Sequence, residues 1–122
     1  MILDSNIVIY SIQPNYANLR NWIFNNNIAI SSITLLEVLG YHNLTNADKN
    51  DFEELFSYTE IYPVSEEIMK QAIDLRQQQK MSLGDAIIAA TALVYNQTLA
   101  TRNTRDFKWI DGLKMINPLE EL

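Results

Sequence analysis

Strand-like and helix-like segments alternate along the whole chain, which predicts an α/β domain with a mostly parallel sheet covered by helices on both faces. Two further observations support that class. The three prolines and three glycines fall at plausible boundaries of the alternating segments. The 122 residues contain no repeat, linker or low-complexity run, so residues 1–122 are expected to form a single domain around one sizeable core.

The elements follow in order. "MIL" is a short apolar strand, and "SNIVIYSI" turns directly into a helix. In "NYANLRNWIFNN" residues Leu19, Trp22 and Ile23 recur at helical spacing, and the asparagine run stops the helix. "IAIS" is a short β-branched strand, followed by the helix "TLLEVLGYHN". "DKNDFEELFSY" places Phe52, Leu55 and Phe56 on one helical face, and "TEIYPV" reads as a strand ending at Pro63. "SEEIMKQAIDLRQQQ" has Ser65 as cap, acids in its first turn, and Ile68, Met69, Ala72, Ile73 and Leu75 as its core stripe. The most apolar helix, "SLGDAIIAATALVY", comes next, then the strands "TLAT" and "LKMIN". The sheet therefore has four to five strands.

Composition removes several function classes. The chain is 48% hydrophobic and 20% charged, which is ordinary for a globular domain and excludes generic disorder. Its longest apolar run, from Ala86 to Tyr95, is too short to span a bilayer. The N-terminus lacks a basic leader and Asp4 interrupts its apolar stretch, so no secretory signal is expected there. The absence of cysteine leaves no disulfide or thiolate metal site. A cytoplasmic protein with no membrane partner is the expectation. The net charge of −6 argues against broad electrostatic adhesion to nucleic acid. It does not exclude a nucleic-acid enzyme, because a carboxylate site inflates the negative count and a bound cation offsets it.

The carboxylates are placed suggestively. Asp4 follows the first strand, and Glu37 is expected in the first turn of the helix after "IAIS". Asp85 is the only charged residue from Met81 through Thr101 and heads the most apolar helix. Asn103 and Asp106 follow "TLAT". In a parallel sheet these strand ends and helix starts gather on one edge, where ligands bind. Capping explains each acid singly: "SLGD" and "TLLE" both fit the capping box, and an acid at a helix N-terminus gains about 0.3–1 kcal/mol. Capping explains the set poorly, since carboxylates within about 5 Å repel by roughly 3 kcal/mol per pair at an effective dielectric near 20. A divalent cation is the natural partner, and an all-oxygen site suits Mg²⁺ or Mn²⁺. Metal-assisted phosphodiester hydrolysis is the implied chemistry.

The blocks "MILDSNIVI", "SSITLLEVLG", "SLGDAIIAATAL", "LATRNTRDF" and "GLKMINP", in that order and at those intervals, resemble the PIN-domain nucleases, and most closely VapC-type toxins of toxin–antitoxin pairs. The resemblance covers essentially the whole chain. It implies a three-layer α/β/α PIN-like domain, an Mg²⁺- or Mn²⁺-dependent endoribonuclease acting on RNA, a homodimer, and a cognate antitoxin that wraps over the active site. By position, Asp4, Glu37 and Asp85 match the family's acidic metal ligands. Asn6 matches the polar residue two places after the first acid, and Thr101 the polar residue closing the fourth strand. The fourth acidic position falls on Asn103 in one family pattern and on Asp106 in another; Asp106 is favoured.

Other residues have competing roles. Arg102, Arg105 and Lys108 flank the fourth acid, where they either hold RNA phosphates or form a solvated face ion-paired to acidic neighbours. Trp22, Trp109 and the phenylalanines are expected in the core or an interface, base stacking on Trp109 being the lesser reading. Ser5 is expected to cap the first helix. His42, the only histidine, is expected at a helix end on the surface, with no zinc site or catalytic triad around it. An aspartyl-nucleophile phosphatase would carry a second acid two residues after the first, where this chain has Asn6. A receiver domain would carry paired acids after its first strand, and Asp4 stands alone. Two alternatives keep the PIN fold: a housekeeping RNA-processing nuclease without an antitoxin, and a catalytically silent protein-binding module.

Overall fold

The computed structural model describes residues Met1–Leu122. The elements alternate as β1 (Ile2–Leu3), α1 (Ser5–Ser11), α2 (Ala17–Phe24), β2 (Ala29–Ser31), α3 (Ser32–Leu39), α4 (Asn46–Ser57), β3 (Glu60–Tyr62), α5 (Glu66–Gln78), α6 (Leu83–Val94), β4 (Leu99–Ala100), α7 (Thr104–Phe107) and β5 (Met115–Ile116). Single 3-10 turns at Pro14–Tyr16 and Pro118–Glu120 join the set. No helix is long and apolar enough to cross a membrane.

The five strands form one all-parallel sheet in the order β3-β2-β1-β4-β5. Side chains alternate between its faces, so each strand feeds two cores. Ile2, Ala29 and Leu99 point into a core closed by α5, α6 and α7, with Ile68, Leu75, Ile88 and Phe107. Leu3, Ile30 and Ala100 point the other way, to Ile7, Leu19, Val38, Phe52 and Leu55 of α1 to α4. This is the three-layer α/β/α arrangement. Alanines 86, 89, 90 and 92 are all fully buried, and such small side chains let α6 lie close against the sheet.

Two helices start where the sequence places them: the Ser65 hydroxyl accepts from the Ile68 amide and the Ser82 hydroxyl from the Asp85 amide. Helix α4 starts two residues ahead of "DKNDFEELFSY", capped by the Thr45 hydroxyl, which accepts from the Asp48 amide. The stripe of α5 differs from expectation. Ile68, Ala72 and Leu75 are buried, but Met69 and Ile73 are 44% and 52% exposed. They lie one position off the buried stripe, beside the exposed Leu83 of α6, and a helical wheel alone cannot tell a wide core face from an uncovered one. Helix α3 is shorter than expected, ending at Leu39 before Gly40, which leaves His42 exposed in the following turn.

The strand order reverses between β1 and β4: the chain moves outward through β2 and β3, then returns to the other side of β1. A crevice opens at the carboxyl ends of strands at such a switch point.

Candidate functional site

Two residues emerge side by side into that crevice. Leu3 pairs in register with Ala100, so Asp4 and Thr101 are the next positions along. The Thr101 hydroxyl donates to Asp4 Oδ2 at 2.8 Å and accepts from the Asn103 amide at 3.0 Å. Thr101 is fully buried and Asp4 is 3% exposed. The extended backbone of Asp4 ends β1, while its carbonyl receives the Ile7 amide at 3.0 Å and so begins α1. One oxygen of the carboxylate is therefore fixed by a neutral donor at the switch point.

Glu37 arrives from α3, in the second turn rather than the first. The N-cap of α3 is Ser31, whose hydroxyl accepts from the Ile33 amide at 3.2 Å. Thr34 and Glu37 thus form no capping box. The Thr34 side chain is fully buried and lies 3.0 Å from the Ser5 hydroxyl, which also donates to Glu37 Oε1 at 2.8 Å. Ser5 is correspondingly not the cap of α1, a position that Asp4 fills. It orients Glu37 across the gap between α1 and α3. The pattern T-x-x-E misled because Ser31 and Ser32 upstream start the helix three residues earlier.

Asp85 sits in the first turn of α6 and is half-buried. Asp106 lies in α7, with its amide held by the Asn103 carbonyl at 3.0 Å. The acids feel one another. Burial pushes the Asp4 carboxyl above its ordinary value; the Thr101 hydroxyl opposes this, the Asp85 charge adds to it, the Asn6 amide opposes it weakly, and the Glu37 charge adds again. No true capping hydrogen bond forms from the Asp4 side chain. Burial likewise raises Asp85, with the Ser82 hydroxyl opposing and the Asp106 charge adding to the rise. Both ion pairs of the molecule, Lys49–Glu53 and Lys70–Glu66, lie on exposed helix faces elsewhere, so no cationic side chain neutralises these acids.

The donor set is all oxygen and net negative, which fits a hard divalent cation. No three carboxylates converge into a preformed cage.

A family profile for the PIN domain matches residues 1–113. The chain belongs to the PIN-domain family. This PIN domain is 34% identical to ribonuclease VapC2 of Rickettsia felis, over 95% of this chain and 96% of the relative. Its fold superimposes on VapBC2 of Rickettsia felis, solved with a DNA fragment from the promoter, with a TM-score of 0.80 and 29% identity over 95% and 96% of the two chains. A toxin–antitoxin complex from Klebsiella pneumoniae gives a TM-score of 0.75 and 31% identity, covering 96% of each chain.

Asn6 is exposed on the first turn of α1, and Asn103 is the exposed N-cap of α7 without a side-chain capping bond. Arg102 extends over the Tyr10 ring at 5.3 Å from its centroid. Arg105 and Lys108 are exposed, and neither joins an ion pair, so of the two readings of this basic group the ion-paired face is not formed. Trp109 is half-buried against the core and donates its indole N–H to the Asp106 carbonyl at 3.0 Å, which steadies α7. Trp22 is half-buried against the opposite core. The sequence reading missed the tie between Ser5 and Glu37; a hydroxyl adjacent to the first acid was its only signal.

Proposed function

We propose that this chain is a metal-dependent endoribonuclease, the toxin of a VapBC-type pair, working as one PIN domain over residues 1–122 and in the cytoplasm. The observation that carries the reading is Asp4: a buried carboxylate at the switch point, held by a neutral hydroxyl and flanked by the charges of Asp85 and Glu37 without a compensating cation. Burying charge in this way is costly unless a counter-charge arrives.

Asp4, Glu37, Asp85 and Asp106 are the residues assigned to hold Mg²⁺ or Mn²⁺. A cation bound there supplies Lewis acidity, neutralising charge on the scissile phosphate and acidifying a water. The chain's own side chains do the positioning. Thr101 fixes one oxygen of Asp4. Ser5 sets the rotation of the Glu37 carboxylate. The exposed Asp106 is near enough for its charge to act on Asp85, and the exposed Arg102 and Arg105, close to it in sequence, are assigned to hold phosphate, with Asn6, exposed on the first turn of α1, as a further polar contact.

Asp106 is favoured over Asn103 as the fourth residue, because its charge is felt at Asp85. Asp106→Asn is accordingly expected to lower RNA cleavage by at least about tenfold, and Asn103→Ala by less, on the scale of losing a supporting partner at a metal site. The reverse ranking in a cleavage assay would hand the role to Asn103.

A groove of about 450 Å³ adjoins Glu37, lined by Ile9, Ile12, Val38, Tyr41, Leu44 and Phe52 among others. Its apolar wall next to an acidic rim suits the antitoxin, as an amphipathic segment ending beside the carboxylates. The uncovered Met69, Ile73 and Leu83 of α5 and α6 suit a self-complementary dimer contact.

The deciding experiment incubates the purified chain, expected to run as a dimer by light scattering, with total cellular RNA with and without Mn²⁺ and maps the cut sites by sequencing. Discrete cuts that need metal are expected, with growth arrest on expression relieved by the antitoxin. In the absence of RNA, Mn²⁺ at a hundredfold excess over its Kd should stabilise the fold by about 2.7 kcal/mol and raise Tm by roughly 5–15 °C. Metal binding without cleavage of any RNA would favour the silent module, and cleavage without growth arrest the housekeeping nuclease.

A further inference from the structure

Gly84 is the second residue of α6, next to Asp85. Nothing in its backbone demands glycine: Gly112 is the glycine with positive φ, and Gly84 is not. Glycine weakens a helix relative to alanine, so its presence there needs another reason. The neighbouring space supplies one. A Cβ on Gly84 would lie 2.5 Å from Glu37 Oε2, 2.9 Å from Glu37 Cδ and 3.0 Å from Glu37 Oε1. Those three atoms are the Glu37 carboxylate itself.

We propose that Gly84 is a positioning residue whose missing side chain lets the Glu37 carboxylate rest against the first turn of α6, beside Asp85. The carboxylate is then clamped from two sides. Ser5 of α1 donates to Oε1 at 2.8 Å, and the bare backbone of α6 receives the other flank. Glu37 is the end of a flexible side chain, so an added methyl group displaces it cheaply instead of unfolding the helix. The change falls on where the charge sits and not on whether the protein folds.

The inference rests on the metal-dependent reading for its importance, but the placement of Glu37 is testable without metal. Four proteins form a double-mutant cycle: the parent chain, Gly84→Ala, Glu37→Ala and the double variant. Mn²⁺ affinity, measured by calorimetry without RNA, is expected to fall at least about tenfold in Gly84→Ala, the loss typical when a ligand's support is removed. In the Glu37→Ala background the same substitution should leave affinity unchanged. Without metal, Gly84→Ala should raise Tm by about 2–4 °C when Glu37 is absent, as alanine's helix preference dictates, and by clearly less when Glu37 is present. A parent chain that binds no Mn²⁺ would defeat the metal reading, while the metal-free cycle would still judge Gly84. Equal Tm gains in both backgrounds, or an Mn²⁺ affinity untouched by Gly84→Ala, would overturn the proposal.

Discussion

Asp4→Asn is expected to lower RNA cleavage by at least about a hundredfold, beyond what loss of an outer supporting residue costs at a metal site. The same substitution should raise the metal-free stability of the protein. Asparagine retains an oxygen to accept from the Thr101 hydroxyl, so the buried bond at the switch point survives. Its amide N–H groups can donate to the acidic neighbours that the Asp4 charge now opposes. What disappears is a negative charge at 3% exposure, pushed toward its neutral form first by burial and then by Asp85 and Glu37. The gain comes first from removing a buried charge and second from relieving the repulsion by Asp85 and Glu37. Activity on RNA and metal-free thermal melting, measured on one preparation, check both halves. A variant that is less stable and still active would make Asp4 a structural helix cap only.

This opposition between function and stability explains what was readable from the sequence and what was not. Alternating elements and acids after strand ends are local patterns, and they translate directly into an all-parallel sheet with Asp4 immediately after β1; the order β3-β2-β1-β4-β5 is a matter of long-range packing and was not read from them. Asp85 was legible because a charge in an apolar helix stands out in one dimension. The partners of the acids were not legible, since they are long-range. Ser5 and Glu37 are 32 positions apart, and Asp4 and Thr101 are 97. Gly84 carried no signal at all: a missing side chain says nothing until the carboxylate occupying its space is seen. Misplacing Glu37 in the first turn of α3, and Ser5 as a cap, came from the same limit. Both hydroxyls and acids fit a local capping pattern, and only packing of α1 against α3 reveals that they serve one another.

Met69 and Ile73 mark a different limit. Hydrophobic periodicity reports which face of a helix avoids water, but it does not report what covers that face. On α5 the stripe is wider than the core beneath it. That excess apolar width is the ground on which a dimer contact is proposed for this face.

Asp85→Asn separates capping from metal binding most sharply, because both roles are structurally available to this residue. Its amide is already held by the Ser82 hydroxyl at 3.1 Å, so the backbone half of the cap does not depend on the charge. If the carboxylate served only the helix dipole, its neutralisation would cost about 0.3–1 kcal/mol and leave cleavage intact. The surroundings point the other way. Burial and the Asp106 charge both disfavour the ionised form of Asp85, and Asp85 in turn burdens Asp4. Asparagine removes both repulsions while keeping the shape of the side chain. Metal-free Tm should consequently hold or rise, by less than for Asp4→Asn since Asp85 is more open to water. RNA cleavage should fall by about a hundredfold or more, and the stabilisation that Mn²⁺ gives the parent chain should shrink with it. Thermal melting with and without Mn²⁺, paired with cleavage of total RNA, reads all three quantities. An Asp85→Asn protein that melts earlier, gains full stability from Mn²⁺ and cuts RNA at the parent rate would return this residue to the helix cap alone. The expected pattern instead has α6 presenting a charge that its own fold would be more stable without.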